Sequence, residues 1–258
     1  AAGFVANGCD VVLLVRDAGR AQVGQTTTLA LAESLHGAQT PGALRVHALD
    51  AFDGWAEVTL VIETIPEDLA LKQQLFAWLE ARVPAAVAIG SNSSGFAISR
   101  IAQGLATRSR MFGMHYFMPA HQVPLVEVVL GADSDAALAQ QVCAFFAAAG
   151  KKPVLVKRDI PGFLANRIQH ALMREVLSLI DSGIASAEDI DIAVRYSFGF
   201  RYAVCGPVMQ KEISGWESMA IAARIARAYS GKDTIAFRGY HGWADWYLAA
   251  NLAKKDGL

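Results

Sequence analysis

Short, uninterrupted apolar runs separated by helical segments constrain the fold of this chain most strongly. Residues 1–17, AAGFVANGCDVVLLVRD, begin as the last turns of a helix that ends at Gly8 and continue as an apolar strand. Residues 58–63 and 86–89 are further apolar runs of strand length. Strands that are apolar on both faces are typical of a parallel sheet covered by helices. The sequence therefore predicts an α/β fold with a mostly parallel sheet.

The composition excludes several classes of function. With 258 residues, 53% of them hydrophobic and 18% charged, the chain can bury a large core. A net charge of −1 and the absence of a Lys/Arg run argue against nucleic acid as a partner. Apolar stretches are too short to span a membrane, so a cytoplasmic protein is expected. Cys9, Cys143 and Cys205 are widely separated and include no CxxC, so no metal or disulfide framework is predicted.

Two β-rich runs, residues 110–117 and 124–130, flank the turn MPAHQV. If they pair as antiparallel neighbours, His115 and Glu127 lie at mirror positions around His121. Cross-strand neighbours bring their Cβ atoms to roughly 5 Å, so the imidazole can donate to the carboxylate. A carboxylate that orients a histidine stabilises the imidazolium formed when the other ring nitrogen takes a proton. The spacing therefore predicts a general-base pair.

A hydroxyl-rich run, SNSSG, follows the strand at residues 86–89. Ligands bind at the carboxyl ends of strands in open α/β sheets, so Ser94 is a candidate site residue. Ser93 or Ser94 could equally cap a helix that begins near Ala97.

The character of the sequence changes at Asp159, where helical patterns replace strands. Pro161 suits the first position of a helix, and an amphipathic pattern then runs to Gly183. Ser186 with Asp189 three residues later predicts a second helix with a capping box. An all-helical second domain is therefore expected.

Four motifs, SNSSG, GMHYFMP, PLVEVV and DIPGFLANRI, occur in an order and spacing that resemble the 3-hydroxyacyl-CoA dehydrogenase family. The resemblance covers about residues 1–217. It implies hydride transfer between NAD(P) and a 3-hydroxyacyl-CoA or small 3-hydroxy acid, with the helical domain forming a homodimer. It also implies that His115 is the base, Glu127 its partner, Ser94 the catalytic serine and Asn166 the amide that holds the substrate oxygen.

The resemblance also suggests cofactor contacts. It implies that Glu67 and Lys72 approach the nicotinamide half, although Glu67 could instead be an acid at a helix N-terminus. After the first apolar run, Asp17 could bind the adenosine ribose, or Arg16 could favour the 2′-phosphate of NADP. A solvated charge pair is the alternative for these two residues.

Two departures from the family pattern bear on activity. No GxGxxG occurs, and the strand and Gly-rich turn that open a dinucleotide-binding unit would precede Ala1, so the first strand is expected to be missing. Met118 replaces the asparagine of the family's His-Phe-Phe-Asn-Pro, whereas PAHQVPLVEVV is similar to the branch that oxidises small hydroxy acids such as gulonate and carnitine. The rival hypothesis is a catalytically inactive remnant that cannot bind the dinucleotide and whose open sheet position pairs with another chain.

The last segment, residues 218–258, resembles the class III pyridoxal-phosphate aminotransferases through ARIARAYSGKD and YHGW. The lysine that binds the cofactor in that family is not in this segment, so transamination is not expected. The alternative is that the tail belongs to the helical domain. The sequence thus predicts three segments: a Rossmann-like domain at 1–158, a helical domain at 159–217 and an aminotransferase-like tail at 218–258.

Overall fold

The computed structural model describes residues 1–35 and 40–213, and within them the strands form two sheets. The first sheet contains two parallel strands, and the second contains five in the order of the chain. All neighbours in the second sheet are parallel except the third and fourth strands of that sheet, which are antiparallel. The strands are β1 (Val11–Val15) and β2 (Leu44–Ala48) in the first sheet, and β3 (Leu60–Glu63), β4 (Ala88–Ser91), β5 (Met111–Tyr116), β6 (Leu125–Leu130) and β7 (Lys152–Val156) in the second.

Helices connect the strands and then replace them. Those among the strands are α1 (Ala2–Ala6), α2 (Ala21–Ser34), α3 (Leu69–Glu80), α4 (Ile98–Ile101) and α5 (Ala136–Ala148). Those after β7 are α6 (Ala165–Asp181), α7 (Ala187–Tyr196), α8 (Phe198–Tyr202) and α9 (Pro207–Ile213). A Rossmann-type, mostly parallel sheet followed by helices confirms the predicted fold class.

The central strands of the second sheet are buried on both faces, as their apolar sequences predict. Consecutive residues of a strand point to opposite faces, and two core clusters divide accordingly. Ile89 packs in a cluster with Phe76 of α3, whereas its neighbour Ala88 packs in a cluster with Phe146 of α5. The sheet is therefore held between α3 and α5, which fixes the positions of the strand ends.

The antiparallel pair β5 and β6 has the predicted register. His115 lies directly opposite Glu127, and Gly113 lies opposite Val129. A Cβ on Gly113 would come within 2.8 Å of Val129 Cβ, so the close approach of the two strands at this point requires glycine.

The predicted start of the helix after Asp159 is wrong. Pro161 does not occupy its first turn, because Gly162 and Phe163 have φ angles of 75° and 47° and a right-handed helix cannot pass through them. The helix α6 begins instead at Ala165. The later signals are confirmed: Gly183 has a φ of 63° after α6, and the Ser186 hydroxyl accepts from the Asp189 amide at the start of α7.

Helix α6 is amphipathic and has no buried residue. Its exposed apolar side chains include those of Ile168, Leu172 and Leu177. Within the described ranges, no helix is long and apolar enough to cross a membrane. The predicted tail at 218–258 lies outside the described residues.

Candidate active site

The candidate site is centred on the pair formed by His115 of β5 and Glu127 of β6. The distance from His115 Nδ1 to Glu127 Oε2 is 2.7 Å. The two side chains are 5% and 1% exposed. The sequence prediction that these residues make a hydrogen-bonded pair is confirmed in its geometry.

The second oxygen of Glu127 is held by the start of α6. Glu127 Oε1 accepts from the Ala165 amide at 2.8 Å and the Leu164 amide at 3.1 Å. Burial by itself would raise the pKa of Glu127, but the hydrogen bonds from His115 and from these two amides outweigh it and lower the pKa. The carboxylate therefore stays ionised inside the protein, where it orients the imidazole.

Two aromatic rings enclose the imidazole of His115. The Phe117 ring stands edge-on to it at 4.8 Å between centroids, and the Phe163 ring lies at 5.3 Å. Phe163 is 1% exposed. The described residues offer no hydrogen-bond partner to Nε2 of His115, so this nitrogen is available to a ligand. Sequence reasoning missed Phe163, although it lies within the PGFLANR motif.

The polar side chains of residues 91–94, at the end of β4 and in the loop after it, have different roles. Ser91 Oγ donates to Glu63 Oε2 at 2.6 Å, and Asn92 Oδ1 accepts from the Tyr116 amide at 2.9 Å. Ser93 Oγ donates to Glu67 and accepts from the Phe96 amide. Ser94 is exposed, and its hydroxyl has no partner in the described part of the chain. Three side chains anchor the loop, and the fourth is free for a ligand.

Glu67 binds this loop through its carboxylate. The cap of α3 is Asp68, whose side chain accepts from the Leu71 amide, and Glu67 directly precedes it. Glu67 Oε1 accepts from Ser93 Oγ and from the Gly95 amide at 2.8 Å. Burial opposes ionisation, but these bonds and the Lys72 ammonium outweigh it and lower the pKa of Glu67.

Lys72 is buried in an ion pair that sequence reasoning missed. Its Nζ donates to the two carboxylate oxygens of Glu63 at 2.8 and 3.0 Å and to the Ile65 carbonyl at 3.2 Å. Glu67 Oε2 lies 3.5 Å from the same nitrogen. The side chains of Lys72 and Glu63 are 1% and 0% exposed. A lysine that is fully surrounded in this way positions Glu63 and Glu67. The sign of this ion pair in the sequence is Glu63, a carboxylate at the end of an apolar strand.

The remaining predicted site residues lie at the ends of elements. Asn166 is half-buried and follows Ala165, whose amide binds Glu127, so the dyad and this amide side chain share the start of α6. Arg16 and Asp17 are exposed directly after β1. Asp17 Oδ1 accepts from the Gly19 amide at 2.9 Å, which organises the turn that leads into α2.

The side chains at the ends of β1, β3 and β4 are of the types that bind the ribose, phosphate and nicotinamide groups of a dinucleotide. Exposed Arg16 and Asp17 at the carboxyl end of β1 can bind ribose hydroxyls or a phosphate. Glu67 and Ser94 follow the carboxyl ends of β3 and β4, the position at which open α/β sheets bind ligands. We therefore consider these side chains compatible with a nicotinamide dinucleotide.

Comparison with protein-family models identifies the chain. The model of the 3-hydroxyacyl-CoA dehydrogenase NAD binding domain matches residues 1–160, and that of the C-terminal domain matches residues 162–231. The chain therefore belongs to the 3-hydroxyacyl-CoA dehydrogenase family. The second match continues through the first 14 residues of the segment expected to be aminotransferase-like, from 218 to 231. The comparisons do not support an aminotransferase origin for this tail.

Individual relatives extend this result. The 5-formyl-3-hydroxy-2-methylpyridine 4-carboxylate 5-dehydrogenase of Mesorhizobium japonicum is 29% identical over 188 residues, which are 72% of this chain and 61% of the relative. The L-carnitine dehydrogenase of Streptomyces coelicolor is 39% identical over 162 residues, which are 63% of this chain and 51% of the relative. The chain thus spans between 51% and 61% of the length of these curated relatives.

A solved structure confirms the fold. The crystal structure of 5-formyl-3-hydroxy-2-methylpyridine 4-carboxylic acid 5-dehydrogenase, described as an NAD⁺-dependent dismutase, superposes with a TM-score of 0.75. Sequence identity is 25%, and the match covers 92% of this chain and 78% of the solved one.

Proposed function

We propose that the protein is an NAD-dependent dehydrogenase that oxidises the hydroxyl group of a 3-hydroxy acid or of its CoA ester. The observation that carries this proposal is the buried 2.7 Å contact between His115 Nδ1 and Glu127 Oε2, together with an Nε2 that has no partner among residues 1–35 and 40–213. Membership of the 3-hydroxyacyl-CoA dehydrogenase family supports it.

In this proposal, Glu127 fixes the tautomer of His115. The carboxylate accepts a hydrogen bond from Nδ1–H, so Nε2 carries a lone pair that can remove a proton from the substrate hydroxyl. The imidazolium that results is stabilised by Glu127, which remains ionised because the Leu164 and Ala165 amides bind its other oxygen. When bound, the nicotinamide supplies the hydride acceptor.

Ser94 and Asn166 would hold the substrate oxygen. Ser94 presents a hydroxyl that no described residue binds, and Asn166 follows Ala165, whose amide binds Glu127. A hydroxyl and an amide that donate to the same oxygen would stabilise it as charge develops on it.

We favour a small 3-hydroxy acid as the substrate over a CoA ester. Met118 stands where the resembling family has asparagine, and its exposed side chain (82%) offers a thioether in place of an amide. Two relatives are named for small acids, carnitine and a pyridine carboxylate. A CoA ester is the second candidate, because it is the substrate class that names the family.

The first experiment is a fluorescence titration of the full chain with NADH and, in parallel, with NADPH. Saturable binding in the micromolar range with a preference for NADH is the expected result. A preference for NADPH would instead assign the 2′-phosphate to Arg16. No binding at millimolar concentration would contradict the proposal and favour the inactive remnant.

Turnover then distinguishes the substrates. NADH formation would be followed with NAD⁺ and a panel of small 3-hydroxy acids, and separately with 3-hydroxybutyryl-CoA. Activity on the free acids alone supports the favoured substrate, activity on the CoA ester alone supports the second candidate, and activity on neither contradicts both.

A further inference from the structure

The turn before α6 has a backbone conformation that phenylalanine rarely adopts. Gly162 and Phe163 have φ angles of 75° and 47°. A positive φ is ordinary for glycine, but a bulky side chain then crowds its own backbone. Among residues 1–35 and 40–213, Phe163 is the one residue other than glycine with a positive φ. Strain of this kind persists only where the surrounding structure holds it, and it concentrates at functional sites.

The surroundings of the Phe163 ring show what holds this conformation. The ring packs in a core cluster with Val129 of β6 and Val156 of β7, which lie opposite each other in the sheet. It also lies on the His115 imidazole, with 5.3 Å between the ring centroids and 54° between the planes. Alternate residues of a strand share a face, so Val129 is on the same face of β6 as Glu127. The ring therefore covers the face of the sheet from which both dyad side chains project.

The backbone after Phe163 acts on the other member of the dyad. The amides of Leu164 and Ala165 both donate to Glu127 Oε1, at 3.1 and 2.8 Å. The first N–H groups of a helix have no acceptor within the helix, so the start of α6 can give them to a carboxylate. The conformation of Phe163 sets the direction of the chain that leads into these amides. The residue that covers His115 thus also directs the donors of Glu127.

The segment is also fixed ahead of the turn. Asp159 Oδ2 accepts from the Ser99 amide at 2.7 Å and from the Ser99 hydroxyl at 2.6 Å. The Phe163 amide donates to the Ile160 carbonyl at 3.0 Å. The turn is therefore held by Ser99 before it and by Glu127 after it. A change of Phe163 to a negative φ would have to move one of these anchored ends.

We propose that Phe163 is a positioning residue of the dyad: its ring holds the His115 imidazole against Glu127, and its left-handed backbone presents the Leu164 and Ala165 amides to the same carboxylate. One residue thus fixes both members of the pair, which accounts for the strained conformation at a buried position. A misplacement of about 1 Å can cost about 10²-fold in rate, so the position of a base matters to turnover. This inference rests on the proposed function, because it assigns Phe163 to the base of that reaction.

Phe163→Leu tests the role of the ring, and Phe146→Leu is its matched control. Phe146 is 0% exposed and packs with Val126 and Val128, on the opposite face of β6. The two variants should lose similar stability in thermal melts, because each removes one buried ring.

The first readout is the tautomer of His115 in the full chain. It is measured at mildly alkaline pH from long-range proton–nitrogen NMR correlations of the imidazole, which are assigned with His115→Gln. The wild type and Phe146→Leu should show one neutral tautomer with the proton on Nδ1. Phe163→Leu should show exchange between the two neutral tautomers, because the imidazole is no longer held against Glu127. A single unchanged tautomer in Phe163→Leu would overturn the proposal.

The second readout is turnover with a substrate identified from the panel. Phe163→Leu should lower kcat by about 10²-fold without changing the dissociation constant of NADH, whereas Phe146→Leu should keep the kcat of the wild type. Equal kcat values for the two variants would overturn the proposal. If the wild type turned over no substrate, the proposed function would fail, and the tautomer measurement alone would decide the role of Phe163.

Phe163→Gly and Phe163→Val test the role of the backbone, because both remove the ring. Glycine adopts a positive φ freely, whereas a β-branched residue rarely does. Amide hydrogen exchange at Leu164 and Ala165 should therefore stay slow in Phe163→Gly and become about tenfold faster or more in Phe163→Val. Equal exchange rates of these two amides in the two variants would overturn the backbone role of Phe163.

Discussion

Replacement of Glu127 by glutamine tests the dyad most sharply, because it changes charge and hydrogen bonding but almost no volume. In the wild type, the Ala165 and Leu164 amides donate to Glu127 Oε1. In the variant, the carbonyl oxygen of the glutamine side chain can accept the same two hydrogen bonds. The amide nitrogen then takes the place of Oε2, which lies 2.7 Å from His115 Nδ1 in the wild type, and it donates a hydrogen bond to Nδ1. Nδ1 becomes the acceptor and Nε2 carries the proton, so the nitrogen that must act as the base is blocked.

The magnitude follows from this exchange of tautomers. General-base catalysis by a positioned side chain contributes about 10²- to 10⁴-fold, and E127Q should lower kcat by that range, which is about 2.7 to 5.4 kcal/mol of transition-state stabilisation. Hydrogen bonds to charged groups contribute about 1 kcal/mol more than neutral ones, and three are affected. We therefore expect a loss of folding stability of about 1–3 kcal/mol, with the fold retained.

The assay is NADH formation at saturating NAD⁺ with a substrate identified from the panel, together with urea unfolding. The matched control is Glu57→Gln, because the Glu57 side chain is 80% exposed and lies 4.0 Å from Arg45. That variant should match the wild type in both measurements. A kcat for E127Q within about threefold of the wild type would refute the reasoning, since it corresponds to less than 1 kcal/mol.

Three further predictions concern the loop and ion pair that surround the dyad. Ser94→Ala should lower kcat by about 10²-fold without changing the melting temperature. Ser93→Ala should instead lose the two hydrogen bonds of its hydroxyl and about 1–2 kcal/mol of stability in urea unfolding. The same melting temperature for both variants would contradict the assignment of a structural role to Ser93 and a catalytic role to Ser94. Lys72→Met leaves the Glu63 carboxylate buried without its cation and should cost about 3 kcal/mol, and the double variant with Glu63→Gln should recover part of that loss in chemical denaturation. The pKa of Glu67 and that of Glu127 both lie below their ordinary value. The stability that these two carboxylates contribute is therefore present above about pH 4.5 and is lost as the pH falls through their lowered pKa values. Circular dichroism melts between neutral and acid pH should show this decline in melting temperature, and a flat profile would contradict it.

The register of the dyad could be predicted from the sequence because its causes are local. Side chains alternate with a period of two, and the turn between β5 and β6 is nearly symmetric about His121, so only one pairing places both β-rich runs opposite each other. The buried strands and the capping box at Ser186 were predictable for the same reason.

The features that could not be predicted depend on contacts between distant segments. Pro161 favours a helix locally, but α6 begins later because its first amides bind Glu127 and the preceding Phe163 packs on His115. The burial of Lys72 depends on Glu63, nine residues away on another element. Composition also cannot distinguish the free hydroxyl of Ser94 from its three anchored neighbours.

The most direct test of the central claim is the turnover of His115→Gln compared with His170→Gln, in which an exposed histidine of α6 is changed in the same way. Both variants should bind NADH as tightly as the wild type in the fluorescence titration. We predict that His115→Gln loses about 10²- to 10⁴-fold in kcat while His170→Gln loses nothing. Equal turnover of the two variants, with NADH bound, would contradict the assignment of His115 as the base.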